Sequence, residues 1–168
     1  MKIHRQRTHL GILFLLLLVG TPAAAETLSG RVVGIADGDT LTLLTVGRVQ
    51  VKVRLAEIDA PEARQPYGQR AKQALAALAF GREVDVSVVD QDRYGRQVGR
   101  VHVGGVDVNA ELVRLGAAWV YRRYSRDPAL LVLEEEARST RRGLWGLPEA
   151  DSQPPWEWRA ELRRVVRP

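Results

Sequence analysis

The chain has 168 residues, of which 25 are Lys or Arg, 20 are Asp or Glu and 3 are His, and it contains no cysteine. The length and the 45% hydrophobic content indicate one domain with a packed core rather than a disordered tail. The absence of cysteine excludes disulfide frameworks, thiolate zinc sites, cysteine nucleophiles and lipid attachment through an N-terminal cysteine.

Residues 1–25 have the three parts of a secretory signal peptide. A basic start precedes the apolar run from Leu10 to Val19, and Ala23 to Ala25 stand before Glu26. The apolar run is about half the length that a membrane span needs, which argues against the alternative of an uncleaved anchor. We therefore expect cleavage after Ala25 and a secreted or periplasmic protein with no membrane segment in its mature form.

The expected mature chain carries little net charge. Cleavage removes three basic residues and leaves 22 basic and 20 acidic ones, so the formal charge falls from +5 to +2 and says little about a polyanionic partner. Two of the three histidines leave as well, and His102 lies in an alternating strand pattern that favours an ordinary strand position over a catalytic triad. Carboxylates, arginines and metal ions that prefer oxygen ligands remain for catalysis.

The first part of the mature chain is predicted to be mainly β structure. The pair Asp37-Gly38 predicts a hairpin, because glycine accepts a positive φ. Apolar alternation and turn residues predict strands at 31–35, 39–46, 48–55, 83–89 and 96–103, with a helix over 67–80 that ends at Gly81.

The last third is predicted to be helical. One short helix covers 109–115 after the cap Asp107, and a longer one begins with the cap Asp127 and ends at Gly143. The charged run from Glu134 to Arg142 is interpreted as a solvent-exposed face, and the Pro- and Trp-containing tail from Gly146 as irregular chain. These elements predict an α+β fold in which a five-stranded OB-fold barrel carries appended helices. The predicted organisation is a signal peptide (1–25), one domain (26–146) and a C-terminal tail (147–168) that packs on the domain or extends from it.

Three clusters of charged residues fall at predicted turns. They are Asp37-Gly38-Asp39-Thr40, the segment from Arg54 to Glu62, and Asp92-Arg93-Tyr94-Gly95-Arg96. Taken singly, they are compatible with a hairpin rim, a charged loop and a β-turn. Together and in this order they resemble the staphylococcal nuclease (thermonuclease) family, whose motifs are D-G-D-T, R-x4-D-x-P-E and D-[KR]-Y-G-R. The resemblance runs from about Gly30 to Trp145, and the fold it implies, an OB barrel with three helices, agrees with the strand pattern.

The resemblance implies a role for each candidate site residue. A Ca²⁺ ion would be bound by Asp39, Asp59 and the backbone carbonyl of Ala60. Glu62 would act as general base, and Arg54 and Arg96 would bind the phosphate. The implied substrate-binding residues are Arg93, Tyr94, Trp119 and Tyr121. Surface ion pairs for the arginines, core packing for the aromatic residues and turn formation for Asp37 remain as alternatives.

The implied function is calcium-dependent hydrolysis of DNA and RNA by a monomer, with little sequence specificity and with 3′-phosphate products. The alternatives are a non-catalytic OB module that binds nucleic acid or protein, and an envelope interaction protein that docks through Trp156 and Trp158. The sequence departs from the prototype at Ala60, where the family has threonine, in a shortened loop after Glu62, and at Glu57. Glu57 is either a solvent-facing acid or a perturbation of the metal site.

Overall fold

A computed structural model of the chain describes residues 26–166. The predicted signal peptide and its cleavage site after Ala25 lie outside the described residues, as do the last two residues of the predicted tail.

Five strands form a closed barrel. β1 pairs with β2 and with β5, β2 pairs with β3, and β5 pairs with β6, all in antiparallel fashion. The barrel closes where β3 runs parallel to β6, with Arg54 opposite Val98. The predicted five-stranded barrel is therefore confirmed. In chain order the strands are β1 (Thr27–Ile35), β2 (Thr40–Thr45), β3 (Gln50–Leu55), β4 (Ile58–Asp59), β5 (Glu83–Gln91), β6 (Gln97–Val103), β7 (Val106–Asp107) and β8 (Trp119–Val120).

The core fills the barrel because alternate strand residues point inward. The sequence Gln50 to Leu55, for example, places Val53 and Leu55 inside and Lys52 outside. The inward residues of the five barrel strands are almost completely buried, namely Val32, Leu41, Leu43, Val53, Leu55, Val84, Val86 and Val101.

The described part of the chain, residues 26–166, has four α-helices outside the barrel, in chain order α1 (Gly68–Ala79), α2 (Val108–Arg114), α3 (Pro128–Ser139) and α4 (Pro155–Val166). The predicted caps of α2 and α3 are confirmed, since Asp107 and Asp127 accept hydrogen bonds from the backbone N–H groups of Ala110 and Ala129. Within residues 26–166, no helix has the length and apolar character needed to cross a membrane.

Two predictions about the C-terminal third are wrong. The tail is not irregular throughout, because α4 begins at Pro155, and proline is well suited to the first position of a helix. The acidic residue Glu134 is not solvent-exposed, since its side chain is 1% exposed and accepts the N–H of Val120 and a hydrogen bond from Arg122. Val120 is the last residue of the short strand β8. Its buried backbone N–H needs a hydrogen-bond acceptor, and the carboxylate of Glu134 provides one.

Two glycines allow main-chain segments to approach one another near the predicted site. A Cβ atom on Gly38 would lie 2.6 Å from the Cβ of Ala60 and 2.7 Å from that of Ala71. A Cβ atom on Gly68 would lie 1.9 Å from the backbone oxygen of Glu62. Gly38 is thus required for space rather than for the positive φ that the hairpin pattern suggests. Through these contacts the first hairpin, the Glu62 loop and α1 are held together.

Candidate active site

Three strand ends bring the predicted metal and phosphate residues to one end of the barrel. Asp39 directly precedes β2, and Arg54 lies near the end of β3, opposite Thr40 in the β2–β3 ladder. Asp59 lies in β4, which pairs with β8 through the residue pair Asp59 and Trp119. The backbone N–H of Leu55 also donates to the carbonyl of Asp39. These pairings fix the two carboxylates on either side of the arginine.

Arg54 joins the two buried carboxylates. Its Nη1 lies 2.6 Å from Oδ1 of Asp39, and its Nη2 lies 2.9 Å from Oδ1 of Asp59. The side chain of Asp59 is fully buried and that of Asp39 is 4% exposed, whereas Arg54 keeps 20% of its side-chain surface exposed. Although burial opposes its charge, the pKa of Arg54 is raised by Asp39 and Asp59. A permanently charged group therefore lines the site.

Ionisation of Asp39 is unfavourable in the folded protein, even though the positive charge of Arg54 favours it. Burial raises the pKa of Asp39 from its usual value to about 7, and the negative charges of Asp37 and Asp59 act in the same direction. Arg54 and the backbone N–H of Ala60, which lies 2.9 Å from Oδ2, act in the opposite direction. The folded protein thus holds a proton on Asp39 more tightly than the unfolded chain does.

We predict that Asp39→Asn stabilises the metal-free fold. Wild-type stability falls as the pH rises from the unfolded pKa of Asp39 toward its folded value of about 7, whereas the asparagine variant lacks this titration. In chelator, the variant should gain ~1–3 kcal/mol of unfolding free energy at about pH 8, and the gain should shrink toward about pH 4. Urea denaturation at several pH values measures this difference.

Asp92→Asn is the matched control. Although burial works against it, hydrogen bonds from the Arg96 side chain and from the N–H groups of Arg96 and Tyr94 lower the pKa of Asp92. Its ionised form is therefore stabilising, and the asparagine variant should lose stability at neutral pH. Equal losses in both variants would contradict the assigned cost of ionising Asp39.

Glu62 lies beside Asp59, and both bind an arginine from α4. Nη1 of Arg159 lies 2.7 Å from Oε1 of Glu62, and its Nη2 lies 2.6 Å from Oδ2 of Asp59. Although burial opposes its charge, hydrogen bonds to Asp59 and Glu62 raise the pKa of Arg159. The Glu62 side chain remains 39% exposed, so it faces the solvent from which a water molecule would approach. The main chain at Glu62 is fixed by Gln65, whose side chain accepts its N–H.

Arg96 lies on the other side of Asp39. Its Nε donates to Asp92 at 2.7 Å, and its Nη1 lies 3.3 Å from the hydroxyl oxygen of Thr40, which itself bonds to Asp39. Tyr94 is 69% exposed, and the guanidinium groups of Arg93 and Arg96 lie 4.9 Å and 5.7 Å from its ring centre. The predicted phosphate residue and two predicted substrate-binding residues thus form one exposed rim.

The other two predicted substrate-binding residues lie under the C-terminal segment. Trp119 is 8% exposed, and its ring meets those of Trp145 and Trp156 edge to face at centroid distances of 4.2 Å and 5.7 Å. The ring of Tyr121 is half-buried and stacks parallel to that of Trp156 at 5.2 Å. In this arrangement Trp119 belongs to the packed interior and one face of Tyr121 is covered.

Two acids near the motifs have structural partners. Asp37 accepts the backbone N–H of Asp39 within the first turn, so turn formation accounts for it. Glu57 accepts hydrogen bonds from Arg100 and from the hydroxyl of Ser125. Arg100 also binds Asp107 and Asp127, the caps of α2 and α3. Glu57 therefore belongs to an ion-pair network that joins the barrel to these helices.

The donor set fits a hard divalent cation. The side chains of Asp39, Asp59 and Glu62 lie at one end of the barrel, with Asp37 next to Asp39, so four acids offer oxygen donors there. Carboxylate oxygens are the ligands that Ca²⁺ prefers. Across residues 26–166, however, no three or more His, Cys, Asp or Glu side chains are grouped to hold an ion. The oxygens of Asp59 instead accept hydrogen bonds from Arg54 and Arg159.

Sequence reasoning missed Arg159 as a site residue. It lies beyond the segment of family resemblance and 100 residues from Asp59. The only signal was its position in a Trp-rich segment of alternating acidic and basic residues that could form a helix. Its contacts depend entirely on the way α4 packs on the barrel.

Comparison with known proteins gives consistent matches. The sequence model of the family described as "Staphylococcal nuclease homologue" matches residues 52–146. The chain is 46% identical over 161 residues to a Shigella flexneri protein named "Micrococcal nuclease", which covers 89% of this chain and 90% of the relative. It is 44% identical over 145 residues to an "Uncharacterized endonuclease" of Escherichia coli O157:H7, covering 86% of this chain and 93% of the relative. It is 49% identical over 156 residues to the Escherichia coli "Protein ParB", with 86% of each chain covered.

Proposed function

This chain belongs to the staphylococcal nuclease family, and we propose that it is a calcium-dependent phosphodiesterase that cleaves DNA and RNA with little sequence specificity and leaves 3′-phosphate ends. The names of its relatives, "Micrococcal nuclease" and "Uncharacterized endonuclease", support nuclease activity. The calcium requirement and the type of product rest on the family resemblance and on the chemistry of the residues at the site.

One observation carries the proposal: the proposed catalytic and metal-binding side chains form a continuous set of contacts at one end of the barrel. Arg96 contacts Thr40, which bonds to Asp39; Arg54 links Asp39 to Asp59; and Arg159 links Asp59 to Glu62. These residues come from four separate segments of the chain, and their contacts support a common role at one phosphodiester group.

The proposed roles follow from the charge of the substrate. A phosphodiester repels a nucleophile, and its negative charge grows in the transition state. Arg54 and Arg96 hold the phosphate oxygens, because a guanidinium group can donate two parallel hydrogen bonds. Glu62 accepts a proton from the attacking water, whose oxygen bonds to phosphorus as the bond to the 5′ oxygen breaks. The 5′ oxygen leaves with the electrons of the broken bond and takes a proton from solvent water, Glu62 returns its proton to solvent, and the phosphate stays on the 3′ side.

Asp39, Asp59 and the carbonyl of Ala60 would hold the Ca²⁺ ion. When bound, the ion supplies positive charge next to the phosphate oxygens and keeps water ligands of its own. The ionised carboxylates of Asp39 and its neighbouring acids would supply the negative charge that such an ion neutralises, and the ion would offset the burial that raises the pKa of Asp39.

The test uses the protein from Glu26 to Pro168 with end-labelled single-stranded DNA and RNA oligonucleotides. We expect cleavage of both with Ca²⁺ and none with a chelator, and we expect the product mobility to change after treatment with a 3′-phosphatase. Cleavage in chelator would contradict the calcium requirement. Binding of the oligonucleotides without cleavage would favour the alternative, a non-catalytic OB module.

We also propose that the protein is exported and acts as a monomer. The pattern of residues 1–25 supports export, and all proposed site residues come from a single chain. N-terminal sequencing of the protein recovered outside the cytoplasm should begin at Glu26. Size-exclusion chromatography with light scattering should give the mass of one chain.

A further inference from the structure

The C-terminal helix α4 lies against the proposed active site and is held there by its first turn. Pro155 is buried, and the neighbouring Trp156 packs on Tyr121 and Trp119. Just before the helix, the carbonyl of Gln153 accepts a hydrogen bond from the side chain of Gln65, in the loop after Glu62. The side chains from Glu161 to Arg164 are exposed. The contacts that hold α4 are therefore concentrated at the end nearest the site.

Arg159, in the second turn of α4, binds the proposed metal ligand Asp59 and the proposed general base Glu62. Its guanidinium group lies 3.2 Å and 2.6 Å from the two oxygens of Asp59, in bidentate fashion, and 2.7 Å from an oxygen of Glu62. Arg54 already donates to one oxygen of Asp59. Both oxygens of this fully buried carboxylate are thus engaged by arginines.

A calcium ion at Asp59 would compete with Arg159 for the same carboxylate oxygens, because Oδ1 already accepts hydrogen bonds from Arg54 and Arg159 and Oδ2 accepts one from Arg159. Calcium requires direct contact with its oxygen ligands at about 2.3–2.6 Å, and the Nη2 atom of Arg159 lies 2.6 Å from Oδ2 of Asp59. The positive charges of the two groups also repel each other. Arg159 therefore opposes entry of the ion at Asp59 for as long as it stays bound there.

The same helix covers an aromatic surface. The ring of Trp156 stacks on that of Tyr121 with an angle of 1° between their planes. A nucleobase that stacked on Tyr121 would need this face, because stacking uses the flat surface of the ring. Trp156 and Arg159 lie close together on α4, so one displacement of the helix would free the ring and the carboxylates together.

We propose that α4 is an autoinhibitory segment, in which Arg159 is a tethered cation that competes with the metal ion for Asp59 and Glu62 while Trp156 covers Tyr121. Metal binding and release of α4 are then linked, because the ion and the guanidinium group compete for the same oxygens and repel each other. Arg159 acts through Asp59 and Glu62 and is a positioning residue. The proposal rests on the proposed calcium-dependent function.

The test measures Ca²⁺ binding without substrate, by calorimetric titration of the protein from Glu26 to Pro168. Arg159→Gln should bind Ca²⁺ about tenfold or more tightly than wild type, because charge-assisted hydrogen bonds no longer compete with the ion. Arg159→Lys, which keeps the charge, should lie between the two. Arg163→Gln, an exposed arginine on the same helix, should match wild type. Tryptophan emission should also change as Ca²⁺ binds to wild type, since Trp156 leaves Tyr121.

A second variant guards against a folding defect in Arg159→Gln. Trp156→Ala loosens α4 without touching any carboxylate, and it should also tighten Ca²⁺ binding. Equal affinity in wild type, Arg159→Gln and Trp156→Ala would overturn autoinhibition while leaving the calcium function in place. Weaker binding in both variants would also overturn it. Absence of Ca²⁺ binding in wild type and in all variants would overturn both the inference and the proposed calcium function.

Discussion

Replacing Arg96 by alanine should lower kcat/KM for single-stranded DNA about 10³-fold, or ~4 kcal/mol of transition-state stabilisation, while the fold remains intact. The turn that carries Arg96 does not depend on its side chain, because the carboxylate of Asp92 also accepts the backbone N–H groups of Tyr94 and Arg96. The lost ion pair is partly exposed and is worth at most about 1 kcal/mol of stability. Steady-state kinetics and urea denaturation of the same preparation measure the two effects.

Two variants make this result specific. Arg96→Lys keeps the charge but loses the planar fork, so its activity should lie between those of alanine and wild type. Arg114→Ala removes an arginine that forms a surface ion pair with Glu111 outside the site, and it should have wild-type activity. Wild-type turnover in Arg96→Ala would show that the rim residue does not bind the reacting phosphate. Arg54→Ala is less informative, because it leaves two buried carboxylates without this partner and should also destabilise the fold.

Replacing Glu62 by glutamine should lower kcat by about 10²–10⁴-fold, because the amide keeps the shape of the side chain but cannot accept the proton of the attacking water. The side chain is 39% exposed, so we expect little change in the free energy of unfolding. A variant that lacks only the proton acceptor can be rescued by an added base, whereas a variant that has lost its packing cannot. The cavity variant Glu62→Ala should regain activity on addition of formate, a small carboxylate that can take the place of the missing base.

Glu57→Gln is the matched control for Glu62→Gln. Glu57 belongs to the network with Arg100 and Ser125, so its replacement should reduce stability and leave kcat unchanged. If the two variants lost turnover equally, or if formate had no effect on Glu62→Ala, the assignment of Glu62 as general base would be wrong.

The regular part of the fold could be predicted because it depends on local patterns. Alternation identifies β3, and the caps Asp107 and Asp127 identify the starts of α2 and α3. The strands β4 and β8 have two residues each, too few for any periodicity. The sequence does not predict α4, because the prolines and tryptophans around its start are typical of irregular chain, although a proline also begins helices. Glu134 was misjudged because its partner, the N–H of Val120, is supplied by tertiary structure.

The sequence also predicts a large part of the candidate site, because its motifs identify the residues, although they do not give the geometry. The motifs identified Asp39, Arg54, Asp59, Glu62 and Arg96, and the structure brings these side chains into one network. No motif could indicate that Trp119 is packed beneath Trp145 and Trp156, or that an arginine 100 residues after Asp59 binds it. Both facts depend on the docking of a segment outside the motifs.

The parallel pairing of β3 with β6 has a consequence for the order of events during folding. Arg54 lies on β3, and Arg96 directly precedes β6, so the pairing of these two strands brings the two arginines to the same end of the barrel. Pairing between strands so distant in sequence is slow, because loop-closure entropy is lost before the contacts are gained. We therefore expect Arg54 and Arg96 to be apart in a chain whose β3 and β6 have not yet paired. The rate at which cleavage activity returns during refolding should therefore follow barrel closure. It should not follow the earlier formation of the hairpins among β1, β2 and β3.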